Sequence, residues 1–133
     1  MVKPASPELG AVFDLAAIEH ELRREEPYAR EGHTGRTLVR EPDLRVVLIA
    51  IRAGERMAEH AANATMSILT LAGLVRVRLP RLDPQHEDRM VELPIGQLLA
   101  LERGLTYDIE AVANSAFLLT LGWSGDDASR TAA

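Results

Sequence analysis

Residues 54 to 73, GERMAEHAANATMSILTLAG, open and close on glycine and place a single imidazole, His60, shortly before an apolar run. An imidazole in that setting serves as a metal ligand or as a general base that titrates near neutrality. Further along, Glu102 supplies a carboxylate and Tyr107 a phenol that can donate one hydrogen bond. The chain has no cysteine, which removes thiolate metal sites, disulfides and cysteine nucleophiles from consideration. Gly-rich phosphate loops, nucleophile elbows and paired-histidine zinc motifs are also missing from the sequence. The other three histidines have polar settings: His20 on a helix flank, His33 in a Gly-flanked turn and His86 in the loop PRLDPQHEDR. All three are read as solvated.

Bulk properties narrow the function classes. A chain of 133 residues is one domain by length and is large enough to bury a core without staples. Its net charge of −5 argues against a nucleic-acid partner, which normally meets a basic face. The N-terminus MVKPASPELG lacks the apolar stretch of a signal peptide. No apolar run approaches the roughly 18 residues that a membrane span requires. A cytoplasmic protein with neither nucleic-acid nor membrane partners is therefore expected.

The elements that would position these side chains follow from periodicity. Val12, Leu15, Ile18 and Leu22 recur at helical spacing, which predicts a helix over 11–26 that Pro27 stops. Residues 31–35, EGHTG, read as a turn. Strands are predicted at 37–41, 44–51, 66–71, 74–79, 90–93, 97–101, 107–113 and 115–123, with Gly, Pro and Asp turns between them. Val75, Val77 and Leu79 alternate with Arg76 and Arg78, as do Tyr107, Ile109 and Ala111 with Asp108 and Glu110. Both segments thus have one buried and one wet face. The run LRVVLIAI at 44–51 is apolar on both faces apart from Arg45. Such a strand is either central in a layered core or buried at a subunit contact. This pattern of many short strands predicts an antiparallel sandwich or barrel.

The order of glycines and site residues resembles the cupin family. Its first motif runs Gly, five residues, His, one residue, His, three or four residues, Glu, six residues, Gly. Here Gly54 is followed at those offsets by His60, Ala62 at the second His position, Met66 at the Glu position, and Gly73. The second motif runs Gly, five residues, Pro, one residue, Gly, two residues, His, three residues, Asn. Gly96, Glu102, Gly104, Tyr107 and Ala111 occupy those positions here. The spacing is kept while most ligand types are replaced. The resemblance covers about residues 36 to 123. It implies a mainly all-β fold, a cupin-like β-barrel or jelly roll, with the N-terminal α-helix outside it. Residues 1–35 are then leader and helix, 36–123 the barrel and 124–133 a flexible tail.

Metal-binding cupins typically use three histidines and a glutamate inside the barrel. By position this chain keeps His60 alone. Ala62 has no donor, the thioether of Met66 is a poor ligand for hard and borderline ions, and a phenol stays protonated at neutral pH. No metal or other cofactor is therefore expected, with a weak rim site built from His60 and Glu102 as the alternative. The leading expectation is a metal-independent pocket for a small organic ligand, lined by His60, Ala62, Met66, Tyr107 and Ile109. The hydroxyl of Tyr107 needs a partner if buried, and His60 is the candidate. Two rivals remain: a cupin isomerase or oxygenase with a marginal metal site, and an interaction protein whose barrel is filled by core side chains. A homodimer through apolar strands such as 44–51 is expected, and catalysis is left open.

Overall fold

The computed structural model describes residues 10–59, 63–80, 85 and 87–124. Among these are two short helices, α1 (Leu15–Arg23) and α2 (Glu26–Glu31), followed by nine strands. These are β1 (His33–Arg40), β2 (Leu44–Ile51), β3 (Arg56–Glu59), β4 (Thr65–Ala72), β5 (Leu74–Leu79), β6 (Arg89–Pro94), β7 (Leu98–Leu101), β8 (Tyr107–Ala111) and β9 (Ser115–Gly122). They form a five-stranded sheet in the order β1-β2-β9-β4-β7 and a four-stranded sheet in the order β3-β8-β5-β6. All paired strands are antiparallel. No described helix is long and apolar enough to cross a membrane.

Two apolar clusters share the five-stranded sheet. The inner cluster lies between the sheets and includes Ile49, Ile51, Met66, Ile68, Val75, Val77, Ile109 and Phe117. The outer cluster joins Leu38, Leu48 and Ala50 to Ile18, Leu22 and Tyr28 of the helices. Strand β2 contributes to both, because successive side chains point to opposite faces. The apolar outward face that suggested a subunit contact is thus covered by the chain's own α1 and α2.

The helical segment differs from the sequence expectation at both ends. Asp14 caps α1, its carboxylate accepting from the amide of Ala17 at 3.1 Å. Val12 lies outside the helix and is 99% exposed. Pro27 does not simply stop a helix; it sits in the first turn of α2, where a missing N–H costs nothing. Helix α2 ends at Gly32 with φ 85°, and a side chain there would collide with Glu55. The chain then enters β1 at His33, where a turn was expected. His33 pairs with Ile51 and is half-buried, not a solvated loop residue. His20 is exposed as expected, and His86 lies outside the described residues.

Arg36 of β1 ties the helices to the sheet, donating to Glu21 at 2.8 Å and Glu25 at 2.9 Å. The outer face of the four-stranded sheet carries a charge ladder instead of an apolar layer. Arg56, Glu110, Arg76 and Glu92 alternate in sign across four strands, with contacts of 3.7, 3.3 and 2.9 Å. Below them Arg78 bonds to Asp108 and, at 3.2 Å, to Asp88. The hydrogen bond to Asp108 holds the Arg78 guanidinium above its ordinary pKa, so it stays charged. These pairs are solvent-screened and keep this face wet more than they stabilise it.

The four glycines at the family positions, Gly54, Gly73, Gly96 and Gly104, all have positive φ. Gly73 is the most constrained, because an added Cβ would overlap the Asn114 carbonyl and the Ser115 side chain. Gly73→Ala is expected to cost more than about 1 kcal/mol in urea denaturation, from combined backbone strain and collision. Leu22→Ala should lose about 2–5 kcal/mol, because it empties a fully buried site beneath the sheet. Val12→Ala should change stability by less than about 0.5 kcal/mol. Comparable losses at Leu22 and Val12 would contradict the placement of α1.

Candidate functional site

The inner wall is built by alternation on strands from both sheets. Met66 projects inward from β4, and Tyr107 and Ile109 project inward from β8. All three belong to the cluster between the sheets, with exposures of 4%, 2% and 1%. Met66 stands opposite Leu101 on one side and Leu121 on the other. Ile109 stands opposite Met57 and Val77, and Tyr107 opposite the backbone of Glu59. The structure therefore brings together Met66, Tyr107 and Ile109. His60 and Ala62, named with them from sequence, lie outside the described residues.

Glu102 is placed differently. It is exposed in the turn between β7 and β8 and lines an open cleft of about 410 Å³ with Thr65, Ala100, Leu101 and Arg103. Thr65 and Ala100 have the opposite parity to Met66 and Leu101 on their strands, so this cleft opens beside the barrel wall. Among the described residues no three His, Asp or Glu side chains come close enough to hold a metal ion. The donors at the described family ligand positions are the thioether of Met66 and the phenol of Tyr107. That set does not fit a divalent ion of the kind cupins bind.

Sequence reasoning passed over two residues at the end of the barrel where β2 begins and β9 ends. Arg45 shares parity with Val47, Ile49 and Ile51, which places it on the inner face. Its guanidinium lies over the Trp123 ring, 5.6 Å from the centroid. The Nε of Arg45 and the indole Nε1 of Trp123 are both buried, and neither has a hydrogen-bond acceptor among the described residues. Trp123 is held by its backbone amide, which donates to the Asp43 carbonyl at 3.0 Å. The signal was present in LRVVLIAI, where Arg45 is the lone charge in an apolar strand. At the opposite end Thr70 is fully buried on the inner face of β4, with its hydroxyl unpartnered among the described residues. Ser115 nearby is satisfied by the Ala113 and Leu74 carbonyls.

No protein-family model matches this sequence, and no curated protein matches it. Solved structures do match. A conserved Streptococcus pyogenes protein of unknown function superposes with a TM-score of 0.67 at 20% identity, covering 86% of this chain and 89% of that one. A cupin superfamily protein from Desulfitobacterium hafniense superposes at 0.61 with 14% identity, covering 69% and 78%. An RmlC-like cupin protein from Desulfovibrio desulfuricans gives 0.61 with 17% identity, covering 77% and 93%. These likenesses agree with the glycine turns at 54, 73, 96 and 104, the two facing antiparallel sheets and the inward-facing positions 66 and 107. The chain has the cupin fold.

Proposed function

We propose that the protein binds a small, largely apolar organic molecule between its sheets, without a metal ion. The observation that carries this reading is the composition of the inner wall at the Met66 end. Met66, Ile68, Leu101, Ile109 and Leu119 share one apolar cluster with Tyr107, and Leu121 packs against it. An apolar enclosure with a few convergent polar groups is what small-molecule sites consist of. The replacements at the family ligand positions, Ala62 and Met66, favour apolar contact over coordination. The family resemblance implies His60 for the same lining, and Tyr107 gives this wall a polar group.

Elemental analysis of untagged protein purified without chelator tests the metal clause. Zinc, manganese, iron or nickel well below one per chain is the expected result, and near-stoichiometric metal would overturn the reading. A thermal-shift screen of small neutral amides and organic acids tests the ligand clause. A compound present at ten times its Kd adds about 1.4 kcal/mol, a rise of a few degrees in Tm. Tyr107→Phe is expected to shrink that rise while leaving the unliganded protein folded. A screen in which nothing stabilises the protein would point to an interior filled by its own side chains.

A further inference from the structure

We infer, building on the proposed ligand site, that its ligand carries a carboxylate and that Arg45 and Trp123 receive it. The inference begins with two donors that lack acceptors among the described residues. The Nε–H of Arg45 and the Nε1–H of Trp123 are buried and unpartnered there, and they belong to stacked side chains. A buried unpaired donor is costly, and two in contact call for a shared acceptor. Both side chains are themselves only half-buried, so part of each is open to solvent.

Charge points the same way. Arg23, Arg36, Arg52, Arg76 and Arg78 each have a carboxylate partner. Among the described residues Arg45 has none, and neither does Arg40, which stands directly opposite it across the β1–β2 pair. Like charges facing each other across a strand pair are unfavourable unless an anion lies between or beside them. A guanidinium is shaped for a carboxylate, to which it donates two parallel hydrogen bonds.

Register then gives the ligand its form. Arg40, Arg45, Leu121, Met66 and Leu101 are successive ladder partners, one on each strand of the five-stranded sheet. The row is cationic on β1 and β2 and apolar on β9, β4 and β7. Two interstrand steps separate Arg45 from Met66, roughly 10 Å. A short aliphatic acid would place its carboxylate on Arg45 and Trp123 and lay its chain over Leu121 towards Met66, with Tyr107 facing it from the other sheet.

Trp123 is the single tryptophan, so its fluorescence reads this site directly. The probes are hexanoate, hexanamide and acetate, titrated against wild type, Arg45→Met and Arg45→Lys. Hexanoate is expected to give a saturable change, with hexanamide and acetate each at least about tenfold weaker. Arg45→Met should weaken hexanoate by about tenfold or more and leave hexanamide unchanged, while Arg45→Lys recovers part of the loss. Arg40→Gln, at an exposed position, should weaken hexanoate less than Arg45→Met does. Equal binding of hexanoate and hexanamide, indifferent to Arg45, would overturn the carboxylate inference and leave the apolar site standing. Acetate binding as well as hexanoate, and dependent on Arg45, would keep the anion contact but remove the apolar site. Binding of none of the three would overturn both.

Discussion

Strand β2 has no polar face to give to water, and the arrangement of the rest of the molecule follows from that. Val47, Ile49 and Ile51 on one side and Val46, Leu48 and Ala50 on the other each require cover. The second sheet covers the first set and the helices cover the second. Because β2 is hydrogen-bonded to β1 and β9 along its length, its backbone is satisfied while both faces stay dry. The helices are short and have little intrinsic stability at that length. They are held by apolar contact with the sheet and by the Arg36 bridges to Glu21 and Glu25.

The two sheets resolve the same problem of a second face in different ways. The outer face of the five-stranded sheet is covered by helices. The outer face of the four-stranded sheet is left to water and tiled with opposite charges. On that tiled face the basic side chains Arg56, Arg76 and Arg78 all find acids. Among the described residues Arg45 has no carboxylate partner, in contrast to these three. This cation lies on the inner face, stacked on the Trp123 indole.

The turn glycines and the inward-facing positions answer to different physical demands. Glycines at 54, 73, 96 and 104 are demanded by backbone geometry, so they are retained wherever these turns are retained. The inward positions 66 and 107 are demanded only to face the interior, and a methionine and a tyrosine satisfy that as well as ligands would. Fold and coordination are thus separable constraints, and the spacing of the motifs reports the first.

The local alternation of β5 and β8, the two-faced apolarity of β2 and the turn glycines were all legible in the sequence, because each depends on residues within a few positions of one another. From them came the all-β class, the limits of β2 and β5, and the inward aim of Tyr107 and Ile109, while Met66 was named only through the family resemblance. Strand β3 and the start of β1 were not legible, since their pairing energy comes from partners far along the chain, Tyr107 through Glu110 for β3 and Ile51 for His33. Nor could Pro27 be known to open a helix instead of ending one, a choice made by Tyr28 packing under the sheet. The row from Arg45 through Leu121 to Met66 is the clearest case. These residues come from three strands and become neighbours only through hydrogen-bond register, a long-range property that local sequence pattern does not encode.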